Sequence, residues 1–382
     1  MLLIKNATAY TMDDVGVLTN VDILCCDGKI VKIGSRLESP DAEVIDATGL
    51  IVTPGFIDAH VHSGGFEPGS ADLNEITDPN TAEVQAIHAI DVNSQDFKEI
   101  HTCGTTAACF IPGSANVICG TGFVAKTAGK SSIYDLSILN PAVMKCAMGG
   151  NPKGAYGRKG KAPMTRMGIA SIFREALRKA RDYMEKLDKA AGDADKLPPY
   201  DAKCEALIPV LKKQIPLKVH SEQFDMLTVI DIAKEFGCDY TIEHGWACNL
   251  YADELVSGGG SICFGPIGIA EGYGELTGGD VGFLRELDDR GLNVCLITDG
   301  PILGARTLLI SAGEAVRYGV AHDRALRMVT INAAIALRVD ERIGSIKEGK
   351  DADLVLWSAV PALDTSARAL MTIIEGKVVY KE

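Results

Sequence analysis

The chain contains seven histidines, and four of them occupy one kind of place. His60 and His62 follow the apolar run Gly55-Phe56-Ile57-Asp58-Ala59, His220 ends Leu217-Lys218-Val219, and His244 ends Tyr240-Thr241-Ile242-Glu243. Asp299 closes the run Val294–Thr298 and precedes Gly300-Pro301. Residues two apart on an extended chain face the same side, so His60 and His62 can point at one ion. Four imidazoles and one carboxylate suit a borderline divalent cation, zinc first with iron or manganese as alternatives, as one ion or two. A lone strand-end histidine is ordinarily structural. The shared phase of all five residues is what favours a metal. His88, His101 and His322 lie in helical or loop contexts and read as surface or capping residues.

Strands must carry these side chains. Between about 51 and 342, apolar strand-like runs (51–57, 105–111, 122–126, 143–148, 217–220, 240–244, 261–264 and 292–298) alternate with helical patterns. Helical spacing of apolar residues is clear over Met167–Leu187, and Phe224–Phe236 and Asp323–Leu337 behave alike. Eight strand candidates over this length fit an α/β fold of the (β/α)8 TIM-barrel type, whose chemistry sits at the C-terminal ends of the strands. A doubly wound open sheet also fits at this point. The two ends of the chain differ from the middle. Ile4–Tyr10, Val21–Cys26, Lys29–Ile33 and Glu43–Asp46 read as short strands, with Asp27-Gly28 a hairpin signal. Ala352–Trp357, Met371–Ile374 and Lys377–Tyr380 repeat this character around Glu375-Gly376. Neither end has strands enough for a stable sheet, so the two are expected to pair in one small β-domain. The expected division is residues 1–54 with 343–382 as a composite β-sandwich and residues 55–342 as the barrel.

Composition narrows the partners. Lys plus Arg total 38 against 51 Asp plus Glu, a net charge of −13, which argues against a general nucleic-acid or anionic-membrane binder. Apolar residues make up 47%, enough for a sizeable core and too many for a disordered chain. The 40 glycines against 15 prolines, without a repeat, suggest tight turns and close backbone approaches to a ligand. Eleven cysteines, an odd number with no CxxC pair, read as small buried hydrophobes of a reducing compartment, so a cytoplasmic protein is expected. No signal peptide or membrane span is expected either. A small-molecule substrate is the expected partner, and a homo-oligomer is left open.

Larger motifs carry a family resemblance. Pro54-Gly55-Phe56-Ile57-Asp58-Ala59-His60-Val61-His62 resembles the opening signature of the metal-dependent amidohydrolase superfamily. Thr330-Ile331-Asn332-Ala333-Ala334 and the segment from Gly344 through Gly349-Lys350-Asp351-Ala352-Asp353 to Trp357 resemble its closing part. The resemblance implies a distorted (β/α)8 barrel with a β-sandwich built from both termini, and a metal site of His60, His62, His220, His244 and Asp299. Lys218-Val219-His220-Ser221-Glu222-Gln223 is similar to the imidazolonepropionase-like subgroup. Relatives of that subgroup carry a bridging Glu where this chain has Gly150. Lys126 and Lys145 are the lysines on nearby strand candidates; Lys126, nearer a strand end, is the better placed of the two for carboxylation, with a structural or solvent-facing lysine as the favoured alternative.

The chemistry this implies is hydrolysis of a C–N bond, a cyclic or small-molecule amide, by water activated on the metal. Asp299 would take the proton of the attacking water and pass it to the departing nitrogen. His244 would polarise the carbonyl, and Glu222 would serve as a second acid/base or a substrate anchor, with capping of the following helix as its alternative. Asn151, Arg158 and Arg166 would hold a carboxylate or carbonyl, with ordinary loop salt bridges as the equal alternative. The glycine-rich segment Gly265–Gly279 is a candidate lid. A deaminase of a heterocyclic ring is the second reading, and a catalytically silent scaffold of the same fold the third.

Overall fold

The computed structural model describes residues 1–66, 72–269 and 279–382. Most of the candidate lid, residues 270–278, therefore lies outside the described residues. Both hairpin signals form turns. Asp27 and Gly28 have φ of 50° and 79°, and Glu375 and Gly376 have 48° and 71°, the pair of positive values a type I′ turn requires. They join strands of one sheet built from both ends of the chain. Its N-terminal strands are β1 (Leu2–Tyr10), β2 (Val17–Cys26), β3 (Lys29–Gly34), β4 (Glu43–Asp46) and β5 (Ile51–Pro54). In the order of that sheet, β5 sits beside β14 (Leu354–Trp357), with β15 (Ala369–Ile374) and β16 (Lys377–Lys381) beyond it. Ile4, Ile23, Val52, Leu354 and Ile373 bury its inner face.

The second sheet has eight strands in strict sequential order: β6 (Phe56–Val61), β7 (Thr105–Phe110), β8 (Ile118–Lys126), β9 (Ser137–Ala147), β10 (Leu217–Glu222), β11 (Tyr240–Trp246), β12 (Ser261–Phe264) and β13 (Val294–Leu296). It nearly closes on itself. His62 N donates to Gly300 O at 2.5 Å, linking the first strand to the residues after the last. The result is the expected TIM-like barrel beside a small sheet made from both termini. No helix among the described residues is long and apolar enough to cross a membrane.

Three details depart from the expected elements, each for a local reason. The apolar run over residues 51–57 splits into β5 and β6 at Gly55, one strand serving each sheet. A Cβ at Gly55 would stand 1.9 Å from Thr106 Oγ1, so only glycine lets the chain change sheets there. The run expected as one helix, Asp323–Leu337, is two helices, His322–Met328 and Ile331–Ala336. The break leaves Val329 O to accept from Ile57 N at 2.8 Å, so a barrel strand uses a carbonyl a continuous helix would have kept. Third, β8 runs antiparallel to both β7 and β9. Its C-terminal end, Lys126, pairs with Ala107 near the start of β7, and so faces the small sheet. The longest helix, Arg166–Ala190, matches the expected stretch and begins where Thr165 Oγ1 accepts from Gly168 N.

Candidate metal centre

At the C-terminal end of β6, His60 and His62 turn toward Asp299, which follows β13. His60 Nε2 lies 3.3 Å and His62 Nε2 3.2 Å from Asp299 Oδ1, and the three donor atoms fall within 4.8 Å of one another. Each ring is fixed by its other nitrogen. His60 Nδ1 donates to Glu243 Oε2 at 2.7 Å, and His62 Nδ1 donates to Ile111 O at 2.9 Å. That arrangement leaves both Nε2 atoms as lone pairs facing the carboxylate, as a metal-ligating imidazole requires.

His220 and His244 complete a cluster of four rings, with centroids 4.3 Å apart between these two and 5.0 Å between His60 and His244. His244 Nδ1 donates to Gly265 O at 2.8 Å, so Nε2 presents a lone pair. A lone pair there suits a metal ligand, whereas polarising a carbonyl would need a donor. His220 is turned the other way. Its Nε2 donates to Glu222 Oε1 at 2.8 Å, and its buried Nδ1 has no hydrogen-bond partner among the described residues. An orphaned, buried imidazole nitrogen beside two facing imidazoles and a carboxylate is what a divalent cation would satisfy. The residues fit the metal.

The electrostatics agree. Burial drops His60 to about 4, and burial followed by the nearby His220 holds His244 well below the usual histidine range. Both rings are neutral near pH 7, the form that binds metal. The backbone is also strained at the site. His244 has φ of 70° and Asp299 of 55°, left-handed values that β-strand ends do not ordinarily adopt.

Sequence reasoning missed the groups behind the ligands. Glu243 binds His60 and also Lys218 Nζ at 2.8 Å, all fully buried. Burial favours its neutral form, but Lys218 and His60 overrule this and keep it ionised. Strand alternation assigns Glu243 and His244 to opposite faces. The positive φ of His244 breaks that alternation, so both serve one site. Asp58, raised to about 7 by burial, accepts from Thr298 Oγ1 at 2.6 Å and so ties β6 to the segment carrying Asp299.

The two lysines exchange roles. Lys145, on β9, places Nζ 3.2 Å from His60 Nε2, and burial lowers its pKa. Lys126, the candidate for carboxylation, is not at the centre and has the structural role that was its alternative. Its Nζ meets Asp351 Oδ2 at 2.8 Å and Asp353 Oδ2 at 2.5 Å, because the reversal of β8 carries it to the opposite end of the barrel. Gly150, where a bridging Glu was expected, begins the helix Gly150–Gly157 and contributes no side chain.

Above the ligands opens a cavity of about 340 Å³, small-molecule size, lined by His62, Asn151, His220, Glu222, His244 and Asp299 among others. Asn151 Nδ2 donates to Ser114 Oγ at 2.7 Å on its wall. Among the described lining residues neither Arg158 nor Arg166 appears, and Arg166 takes the alternative role, a salt bridge. Arg158 is exposed at the end of the helix Gly150–Gly157. Arg166 makes a two-point bond to Asp225 at 2.8 and 3.1 Å and stacks on Phe224.

Comparison with known proteins agrees with this geometry. Residues 269–379 match the model of the amidohydrolase family. A crystal structure of an amidohydrolase from Thermotoga maritima MSB8 is 34% identical, with all of each chain covered and a TM-score of 0.95. Amidohydrolase tasK of Hapsidospora irregularis is 29% identical over 94% of this chain, which spans only 40% of that relative's length. A dihydroorotase from Aquifex aeolicus is 26% identical over 100% of this chain and 99% of its own length.

Proposed function

The chain belongs to the amidohydrolase family, and on that premise we propose that it is a metal-dependent hydrolase of a carbon–nitrogen bond in a small amide, a cyclic amide first. The observation that carries this reading is the convergence of His60 Nε2 and His62 Nε2 on Asp299 Oδ1 within 3.3 Å, each ring fixed from behind. The donor set favours zinc over iron or manganese. His60, His62 and Asp299 would hold one ion, and His220, His244 and Lys145 would hold a second or complete the first. When bound, the cation supplies a polarised water that loses its proton near neutral pH.

The remaining work falls to the chain. Asp299 accepts the water's proton and delivers it to the departing nitrogen, since its carboxylate meets both ligand imidazoles on the cavity wall. Asn151 presents its amide oxygen to the substrate while its nitrogen is held by Ser114. Glu222 would keep His220 in the tautomer that leaves Nδ1 as a lone pair. Within the family, the His220-Ser221-Glu222-Gln223 segment favours an imidazolonepropionase-like grouping.

The test is metal-loaded protein against chelator-treated protein on lactams, hydantoins, other cyclic amides and dipeptides. A new carboxylate formed only with metal supports the reading. Ammonia released from a ring substrate would favour a deaminase, and no metal-dependent turnover on any substrate sinks the proposal.

A further inference from the structure

The described wall of the cavity has two unlike sides, set by the order of the barrel strands. On one side stand Ser114, which follows β7, Asn151, which follows β9, and Asn74, tied to the first. They form a bonded cluster. Asn74 Oδ1 accepts from Ala115 N at 3.1 Å, and Asn151 Nδ2 donates to Ser114 Oγ at 2.7 Å. Each bond uses one polar atom of a side chain and leaves capacity over. Asn74 Nδ2 and the Ser114 hydroxyl hydrogen remain as donors, and Asn151 Oδ1 remains as an acceptor. Asn74 and Ser114 are half-buried and Asn151 is exposed, so these groups are open to a ligand. On the other side stand Pro266, which follows β12, and Ile302, which follows β13, with Phe66 beside them after β6. In a nearly closed sheet of sequential strands, β12 and β13 lie across the mouth from β7 and β9. Ile302 is 50% exposed there, and its apolar surface leaves water only when a ligand covers it.

We infer that the substrate is a two-sided amide, with a carboxamide-like group on the acyl side of the bond to be cleaved and an apolar substituent on the nitrogen side. Two donors and one acceptor match the carbonyl and the NH2 of a carboxamide. The direction comes from Asp299. Ile302 N donates to Asp299 O at 2.9 Å, a turn that sets Ile302 beside the carboxylate. The nitrogen that takes its proton from Asp299 therefore leaves toward Ile302 and Pro266, and the acyl part extends toward Ser114 and Asn151. The inference rests on the hydrolase reading and adds to it the class and orientation of the substrate. It makes Asn74, Ser114 and Ile302 specificity residues.

Lactams of one ring size test it, with carboxamide or ethyl on the carbon next to the carbonyl crossed with isobutyl or methyl on the carbon next to the nitrogen. A further isomer has carboxamide and isobutyl exchanged. In the metal-loaded protein, carboxamide should raise kcat/KM over ethyl by roughly 3- to 10-fold, the scale of neutral hydrogen bonds. Isobutyl should raise it over methyl by about 10-fold, for a few carbons covered on a partly open wall. The exchanged isomer should be the poorest. Ser114→Ala should abolish most of the carboxamide preference and leave the isobutyl preference, and Ile302→Ser should do the reverse. Each is a ratio within one protein, so loss of folded protein cancels. If no compound is hydrolysed with metal present, the hydrolase reading fails, and calorimetric binding of the same compounds to the same proteins decides the inference by itself. Equal or better use or binding of the exchanged isomer, or preferences that neither variant moves, overturns it.

Discussion

Glu243 touches no part of the cavity, yet it orients His60 and neutralises Lys218 at once. Removing its charge frees the His60 ring to turn and weakens the imidazole as a ligand. Glu243→Gln should therefore lower metal affinity by about 10- to 100-fold in a chelator competition, with the fold checked by circular dichroism. Lys145 and Lys126 make the opposite pair. Lys145→Met should reduce the metal bound per chain, read by elemental analysis. Lys126→Met should leave metal content unchanged and cost about 3–5 kcal/mol in urea unfolding, because Asp351 and Asp353 lose a buried partner. Equal metal loss in both variants would contradict the placement of the two lysines.

Among the elements, β8 is the one whose direction matters most. A chain that reads as eight alternating units suggests eight parallel strands, and the apolar run around 122–126 gives no sign of direction. Only pairing with both neighbours reveals that it is reversed. Gly149 marks another element boundary, before the helix Gly150–Gly157. Its φ is 69°, and a Cβ there would stand 2.9 Å from Asp225 Oδ2 and 3.1 Å from Glu222 Oε2. Gly149→Ala should destabilise the protein by more than about 1 kcal/mol and disturb Glu222, visible as a lower thermal midpoint. The helix Ala202–Leu211 shows an ordinary cap. Asp201 accepts from Lys203 N and Cys204 N and pairs with Lys179. The Cys204 backbone bond, then Lys179, hold Asp201 below the usual carboxylate range. A lowered folded pKa contributes stability above the unfolded value of about 3.9, and that contribution fades as pH falls through the folded pKa. Asp201→Ala should cost about 1 kcal/mol at pH 7, and its gap from the parent protein should narrow below about pH 4 in urea titrations.

At the scale of the whole molecule, the two sheets meet through charge as well as apolar packing. Asp351 binds Lys29 at 2.7 Å, Lys126 at 2.8 Å and Arg342 at 2.7 Å, joining a strand of the small sheet, a barrel strand and the returning chain. The closing motif Gly349-Lys350-Asp351-Ala352-Asp353 thus acts as a clamp at the end of the barrel opposite the metal centre. The centre itself joins β6 to the segment after β13, the two ends of the barrel sheet. Metal should therefore stabilise closure of the barrel, and removing it should lower the thermal midpoint. A metal present at 100 times its dissociation constant contributes about 2.7 kcal/mol. Melts that do not change on chelation and metal return would exclude a cation bridging these strands.

Sequence alone determined the residue types, their strand-end phase and the order of the motifs. These sufficed for the barrel, the shared terminal sheet and the convergence of His60, His62 and Asp299, because strand periodicity and chain order are local properties. Tertiary structure decided what depends on neighbours distant in sequence: the direction of β8, which sends Lys126 away and leaves Lys145 at the ligands, and the bond from Glu243 to His60 across 183 residues. It also decided that Arg166 belongs to Asp225. Pairing and burial create those facts, and neither is written in the spacing of residues along the chain.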